Sequence, residues 1–172
     1  MRRPLTLAIG IALLIAFAAA LWGARVLTVP GGAETANANV VRKVPTEQVL
    51  AWISEGKRVI FVDARESQEF DEEHLPGAIN LSLRELESAD PKQFDQADLI
   101  IAYCMKDFRG YEVAKALHRA GFPQSAILKE YGLAGWKKQG LPTVVRDAQN
   151  EQEARRKLEG CARSRSECVK KG

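Results

Sequence analysis

The sequence carries almost no net charge, and it lacks the basic stripe that a nucleic-acid binder normally shows. Its 25 Lys and Arg residues nearly balance 22 Asp and Glu residues, which leaves a formal charge of +3. Basic residues are scattered except in a tail after Arg155, and no aromatic residues alternate with them. We therefore predict no nucleic-acid partner, and we interpret the basic tail as a solvated charge run.

Charged residues are also missing from Leu5–Trp22, which is mostly Leu, Ile, Ala and Phe. Its 18 residues reach the lower limit for a helix that crosses a bilayer. The preceding pair of arginines favours the cytoplasmic side, so the chain beyond would be exported. We expect residues 1–22 to form an uncleaved, single-pass signal anchor in the inner membrane, with the domain facing the periplasm or the cell exterior. The alternative is a signal peptide cleaved near Ala18–Ala20, which would release the domain into the periplasm.

Large apolar residues are rare in residues 23–39, so we predict a flexible linker there. Strand and helix patterns then alternate over residues 40–143, and a basic tail follows over residues 144–172. The predicted strands are 40–44, 59–62, 78–81, 99–103 and 126–128. The predicted helices are 46–54, 66–73, 111–120 and 133–138, one that starts at Ser82, and a separate solvated helix over 150–159 that Gly160 closes. This alternation indicates an α/β fold with an open parallel sheet and helices on both faces.

Cys104 comes directly after the predicted buried strand Leu99–Tyr103 and shortly before a predicted helix. In open parallel sheets, functional sites form beyond the carboxyl ends of the strands. Backbone amides of such a loop, with the positive end of the following helix, favour an anion and therefore a thiolate. Lys106 and Arg109 add positive charge. Cys104 is thus a candidate nucleophile, and the alternative is a small buried residue at a strand end.

Three motifs together carry a family resemblance. The stretch Val59–Leu81 contains Asp-x-Arg, then Glu and an aromatic residue, then His-x-x-Gly-Ala-x-Asn. The loop Cys104–Arg109 has six residues, begins with cysteine and ends with arginine. The stretch Tyr131–Pro142 contains Gly-x-x-x-Trp followed by Gly-Leu-Pro. In these motifs the sequence resembles single-domain rhodaneses over about residues 40–143.

The resemblance implies sulfur transfer without a metal or an organic cofactor. The Cys104 thiolate would attack the outer sulfur of a small donor such as thiosulfate and form a persulfide, and a thiol or cyanide acceptor would then remove that sulfur. The residues implied as the anion-binding loop are Met105, Lys106, Asp107, Phe108 and Arg109. A related phosphatase needs five residues between cysteine and arginine, which would require arginine at Gly110, so we disfavour that class.

The other motif residues are expected to support the site. We expect Asp63 and Arg65 to fix the loop after their strand through hydrogen bonds and an ion pair. His74 could carry a proton, but we favour an ion-paired turn residue because acidic residues surround it in the sequence. Glu69 and Phe70 are expected to cap and to pack.

Two loop residues depart from the common rhodanese pattern, which has a small residue or glycine at the fourth position. Asp107 would disfavour a nearby thiolate and repel thiosulfate, unless it turns away to cap the next helix. Phe108 is bulky and apolar. A polysulfide, a protein persulfide or a protein thiol would therefore suit the site better than thiosulfate. The alternative function is a catalytically weak, membrane-tethered module that binds a partner or senses redox state through Cys104.

Cys161 and Cys168 lie in the tail at a spacing that matches no metal motif, with no histidine nearby, so we predict no metal site. In an exported protein, paired cysteines usually form a disulfide. On one continuous helix they would be about 10 Å apart along the axis, too far for a bridge, so a disulfide requires the chain to turn. Ser164 and Ser166 favour such a turn. The alternative is that one of the pair resolves a Cys104 persulfide.

Overall fold

The central sheet consists of five parallel strands in a computed structural model that describes residues 41–146 and 151–168. The strands are β1 (Arg42–Val44), β2 (Val59–Asp63), β4 (Ile79–Asn80), β5 (Leu99–Tyr103) and β6 (Ser125–Leu128). Their order is β1-β6-β5-β2-β4, so β5 and β2 lie in the middle. An antiparallel ribbon pairs β3 (Glu73–His74) with β7 (Val144–Val145). The predicted α/β fold with a parallel sheet is confirmed.

Five helices are described together with three short 3₁₀ turns. The helices are α1 (Thr46–Ser54), α2 (Ser67–Glu72), α3 (Phe108–Arg119), α4 (Gly132–Lys138) and α5 (Glu151–Arg163), and the turns are Leu86–Ser88, Pro91–Phe94 and Arg165–Glu167. Crossover segments between parallel strands bring these elements back over the sheet.

The sheet separates two apolar clusters, because successive side chains of a strand point to opposite faces. On β5, Ile101 and Tyr103 belong to the cluster that also contains Trp136 of α4. Ala102 and Cys104 belong to the other cluster, which contains one face of α3. Every residue of β5 is buried, as the continuous apolar run predicts.

The helix predicted from Ser82 is wrong. Its start signal is present, since the backbone amide and hydroxyl of Ser82 donate to Glu85 Oε2 at 3.1 and 2.8 Å. The segment nevertheless forms only a turn and 3₁₀ turns. Pro91 explains this, because a proline disfavours helical backbone at the preceding residue, and Asp90 is accordingly extended (ψ 115°).

The C-terminal helix is not a separate solvated helix, and Gly160 does not close it. Helix α5 continues to Arg163 and buries Ala154, Leu158 and Cys161, of which Leu158 and Cys161 belong to the cluster that contains α1 residues. Their three- and four-residue spacing makes a narrow apolar stripe. Gly160 allows a close approach instead, since a Cβ there would lie 2.3 Å from a Glu167 carboxylate oxygen.

After α5 the chain turns back on itself. Ser164 is extended, the turn Arg165–Glu167 follows, and the Cα atoms of Cys161 and Cys168 come within 5.0 Å in a disulfide. Both sulfurs are buried. In this state neither thiol is free to attack a persulfide on Cys104.

The predicted signal anchor (residues 1–22) and linker (residues 23–39) lie outside the described residues. Within residues 41–146 and 151–168, no helix has the length and apolar character needed to cross a bilayer.

Candidate active site

Strand β5, one of the two central strands of the sheet, positions Cys104. Asp63 at the end of β2 pairs with Tyr103 at the end of β5, so Cys104 is the first residue beyond the sheet. Its thiol is free of disulfide bonds and only 4% exposed. The following helix, α3, begins four residues later at Phe108. The sulfur therefore lies between a strand end and a helix start, where a negative charge is favoured.

The backbone amides of residues 105–110 belong to the loop after Cys104 and to the first turn of α3. Within the part of the chain that the structure describes, none of them donates a hydrogen bond to another protein group. Amides at a helix N-terminus have no partner inside the helix, so they are free to bind an anion. The loop that follows Cys104 thus contains unpaired amide donors that are available to an anion.

Asp107 occupies the N-cap position of α3 but does not cap the helix. Its side chain makes no capping hydrogen bond, and its Oδ1 atom is buried without a partner among the described residues. The backbone explains this: φ −131° and ψ −32° differ from the extended conformation of a usual N-cap. The sequence-based suggestion that Asp107 turns away as a cap is therefore wrong, and an unpaired carboxylate oxygen remains in the loop.

The start of α4 fixes the loop from behind. Its amides of Leu133 and Ala134 donate to the carbonyl oxygens of Cys104 (2.9 Å) and Met105 (3.3 Å). This approach needs a glycine at residue 132, where φ is +52° and a Cβ would lie 2.2 Å from the Cys104 carbonyl oxygen. Gly132, in the motif near the end of the domain, therefore has a direct role in shaping the cysteine loop.

Arg109, the last residue of the loop, forms a two-pronged ion pair with Glu69. Arg109 Nη1 donates to Glu69 Oε2 at 2.5 Å, and Nη2 donates to Oε1 at 2.9 Å. The hydrogen bond from Arg109 lowers the pKa of Glu69, and the same bond raises the pKa of Arg109. Glu69 also accepts from the Glu66 amide in the capping box of α2. Capping was expected from the sequence, but the ion pair was missed because the partners are 40 residues apart.

Asp63 and Arg65 form a buried pair beside the loop. Arg65 Nη2 donates to Asp63 Oδ2 at 2.6 Å and also to the carbonyl oxygen of Glu73. Burial alone would lower the pKa of Arg65, but the hydrogen bond and charge of Asp63 more than offset it, so this pKa is raised. Asn80 Nδ2 donates to the Arg65 carbonyl oxygen at 2.8 Å. Both charges are thus paired, and they shape the loop that follows β2.

The loop after β2 is also hydrogen-bonded to Tyr103, the residue before Cys104. The amide of Ala64 donates to the Tyr103 carbonyl oxygen at 2.8 Å. The Tyr103 hydroxyl accepts from the Leu75 amide at 2.9 Å, and burial raises the pKa of Tyr103 well above its usual value. The Asp-x-Arg motif therefore positions the end of β5, on which Cys104 depends.

His74 lies in strand β3, not in the turn expected from the sequence, and it contacts the C-terminal helix. Its Nδ1 is 2.8 Å from the Phe70 carbonyl oxygen, and its Nε2 is 3.5 Å from Glu151 Oε2. The imidazole stacks on the Phe70 ring with centroids 4.0 Å apart. Both ring nitrogens therefore have neighbours outside the cysteine loop, and the residue joins β3 to α5.

Three large apolar side chains are exposed around the cysteine loop. Met105 is 40% exposed, Phe108 75% and Tyr131 66%. Tyr131 stands just before Gly132 and has a left-handed backbone, with φ +68°. Sequence patterns do not indicate that Tyr131, which immediately precedes α4, lies near the cysteine loop.

The described residues form a parallel α/β domain with a buried free thiol between a strand end and a helix start. The family model for the rhodanese-like domain matches residues 45–139, and the chain belongs to that family. The uncharacterized protein slr1261 of Synechocystis is 36% identical over 99 residues, which are 56% of this chain and 53% of that protein. The chain thus matches about half the length of that relative.

Two further comparisons agree on the same region. The uncharacterized protein YibN of Escherichia coli K12 is 31% identical over 104 residues, 59% of this chain and 72% of that protein. The crystal structure of the Alr3790 protein from Anabaena covers 64% of this chain and 98% of its own, with a TM-score of 0.54 and 22% identity. This structural likeness shows the fold alone.

Proposed function

We propose that the protein is a sulfurtransferase that carries a sulfane sulfur on Cys104. The observation that supports this most is the position of the free thiol, which is 4% exposed at the end of β5 and beside a run of unpaired amides. Membership of the rhodanese-like family is consistent with this chemistry.

The transfer takes place in two displacements. The Cys104 thiolate attacks the outer sulfur of a donor, the sulfur–sulfur bond of the donor breaks, and its electron pair leaves with the departing group. An acceptor thiolate then attacks the outer sulfur of the Cys104 persulfide, and the electron pair of the broken bond returns to Cys104. The loop amides stabilise the anionic sulfur in each state, and covalent catalysis splits one transfer into two easier steps.

The charges of the loop favour a donor with less charge than thiosulfate. Arg109 is neutralised by Glu69, and the Asp107 carboxylate opposes the remaining charge of Lys106. A dianion would therefore meet little net positive charge beside the thiol. We propose an alkyl persulfide, a polysulfide or a protein persulfide as the donor class.

Steady-state sulfur transfer tests this function. The chain is supplied with ethyl persulfide or thiosulfate as donor and with cyanide as acceptor, and thiocyanate is measured. We expect turnover that is lost in Cys104→Ser, retained in the surface variant Lys92→Gln, and faster with ethyl persulfide than with thiosulfate. Absence of turnover with both donors would contradict the enzymatic function.

A second candidate function is partner binding or redox sensing through Cys104. The exposed apolar rim of Met105, Phe108 and Tyr131 favours it, because such side chains around a reactive thiol suit contact with a protein surface. Stoichiometric persulfide formation without turnover would support this alternative over catalysis.

We also propose that the domain acts outside the cytoplasm, attached through Leu5–Trp22 or released after cleavage. The disulfide between Cys161 and Cys168 supports this location, since disulfides persist mainly in oxidising compartments. Digestion with a protease added to intact spheroplasts tests it, with lysed spheroplasts as the control. A domain that is digested only after lysis would contradict export.

A further inference from the structure

A cavity of about 270 Å³ opens beside the cysteine loop, beyond the ends of β1 and β6. Ala102 of β5 pairs with Ile127 of β6, which in turn pairs with Lys43 of β1. Continuing the first register past the strand ends sets Lys129 opposite Cys104, with neighbouring strands about 4.8 Å apart. The cavity is therefore one to two strand spacings from the position of the nucleophile.

The wall of this cavity carries charges of both signs that lack partners. Asp107 contributes the buried Oδ1 atom without a hydrogen bond. Lys43 and Lys129 are exposed and form no ion pair within the part of the chain that the structure describes. The remaining charge, Glu130, accepts a hydrogen bond from Gln139 Nε2 at 3.1 Å. Two carboxylates and two ammonium groups thus line the same space, and none of them is in an ion pair among the described residues.

We propose that this cavity binds the amino-acid headgroup of a free cysteine, which acts as the sulfur acceptor; this rests on the function proposed above. The ammonium of the cysteine binds the Asp107 carboxylate, and its carboxylate binds Lys43 and Lys129. A thiol with both charges on the carbon next to its CH₂S group satisfies all three residues at once. The cysteine of a peptide interior has neither charge.

The reaction is balanced without an oxidant or a reductant. The thiolate of the bound cysteine attacks the outer sulfur of the Cys104 persulfide and forms a new sulfur–sulfur bond. The old bond breaks, its electron pair returns to Cys104 as a thiolate, and cysteine persulfide leaves. The charged groups of the cavity orient the acceptor and take no part in the bond changes.

Four small thiols test the contributions of the ammonium and the carboxylate of the acceptor separately. With the loaded enzyme, kcat/KM is measured for L-cysteine, cysteamine (ammonium only), 3-mercaptopropionate (carboxylate only) and 2-mercaptoethanol (neither), each as the thiolate. We expect L-cysteine to be fastest, with each charge contributing about fivefold, as a partly exposed ion pair allows. Equal rates for L-cysteine and 2-mercaptoethanol would overturn the proposal.

Variants assign each charge to its partner within the same series. Asp107→Asn should remove the advantage of ammonium without lowering the ratio of 3-mercaptopropionate to 2-mercaptoethanol. The double variant Lys43→Gln/Lys129→Gln should remove the advantage of the carboxylate. Because ratios are compared within each variant, general losses of activity cancel. Lys57→Gln, an exposed lysine elsewhere, should preserve both ratios; equal effects of all three variants would overturn the assignment.

Binding without chemistry separates this proposal from the proposed function. S-methyl-L-cysteine is titrated into the Cys104→Ser chain, and the amide NMR shifts of residues 129–131 are followed. We expect saturable shifts there and binding at least about fivefold weaker for the N-acetyl derivative, which lacks the ammonium. Failure of Cys104 to take up sulfur would contradict the proposed function, whereas absence of these shifts would contradict binding of the cysteine headgroup in the cavity.

Discussion

The guanidinium of Arg109 is engaged on both prongs by the carboxylate of Glu69, at 2.5 and 2.9 Å, directly beside the loop that begins at Cys104. Glu69 is positioned in turn by the capping box at the start of α2. The positive charge at the end of the loop is therefore used within the protein, and it is not free to attract a dianionic donor.

Glu69→Gln should release Arg109 toward the loop and make thiosulfate a better donor. We expect the rate of sulfur loading from thiosulfate, relative to that from ethyl persulfide, to rise about fivefold, because a cation near the thiol favours the dianion more than the monoanion. Rapid-quench mass spectrometry measures both rates. Glu72→Gln, which removes an exposed carboxylate of the same helix and leaves the ion pair and the capping box intact, is the matched control. An unchanged ratio in Glu69→Gln would contradict this electrostatic role.

The same ion pair gives stability a defined pH dependence. The pKa of Glu69 is lowered from its usual 4.5 by the hydrogen bond from Arg109, so the folded state binds the proton less readily than the unfolded state. The resulting stability is present above pH 4.5 and is lost as pH falls through the lowered folded pKa. Urea unfolding at a series of pH values should show the difference between wild type and Glu69→Gln shrinking below about pH 4. A difference in the free energy of unfolding that does not change with pH would contradict the lowered pKa of Glu69.

Asp107→Asn should increase the reactivity of Cys104 toward anions. Iodoacetate and iodoacetamide alkylate the same thiolate but differ in charge, so their rate ratio reports the local potential. We expect the ratio to rise about threefold when the unpaired carboxylate is neutralised. Asp95→Asn, a remote exposed change, should leave the ratio at the wild-type value. A ratio that moves equally in both variants would show that Asp107 does not face the thiol.

Gly132→Ala should destabilise the domain far more than Gly56→Ala, although both glycines have a positive φ. A Cβ at residue 132 would lie 2.2 Å from the Cys104 carbonyl oxygen, whereas nothing lies within 4 Å of one at Gly56, where φ is +76°. We expect a loss of about 3 kcal/mol for Gly132→Ala and about 1 kcal/mol for Gly56→Ala. Urea denaturation measures both. Equal losses would mean that the loop does not need this close approach.

Removal of the disulfide should loosen α5 without affecting sulfur loading. Helix α5 buries only a narrow stripe, and the bond between Cys161 and Cys168 closes the turn that follows it. In the double variant Cys161→Ser/Cys168→Ser we expect faster hydrogen exchange of α5 amides and a loss of about 2 kcal/mol. Unchanged exchange would show that the apolar stripe alone fixes the helix. A Cys104 persulfide that persists longer in the double variant than in the wild type would instead revive a resolving role for one of these cysteines.

Local patterns predicted the sheet because its central strands are unambiguous. Leu99–Tyr103 is a continuous apolar run followed by a cysteine, and such a run has few alternatives to a buried parallel strand. The same reasoning failed at Ser82, where a correct helix-start signal was overridden by Pro91 nine residues later. It failed again at Gly160, because a glycine that ends helices elsewhere here permits contact with Glu167.

The site was predictable only where its parts are close in sequence. The loop and its nucleophile follow from the order of strand, cysteine and helix. The ion pair of Arg109 with Glu69, the contact of Gly132 with the Cys104 carbonyl and the placing of Lys129 beside the loop all depend on tertiary packing. Residue spacing carries no information about such partners, and even the N-cap position of Asp107 did not predict an uncapped, unpaired carboxylate.

The most direct test of sulfur transfer through Cys104 is the mass of the intact chain after brief exposure to ethyl persulfide, followed by peptide mapping under non-reducing conditions. We expect a gain of one sulfur atom, located on the peptide that contains Cys104, removed by cyanide and absent in Cys104→Ser. A chain that gains no sulfur, or gains it on Cys161 or Cys168 while Cys104 remains unmodified, would contradict it.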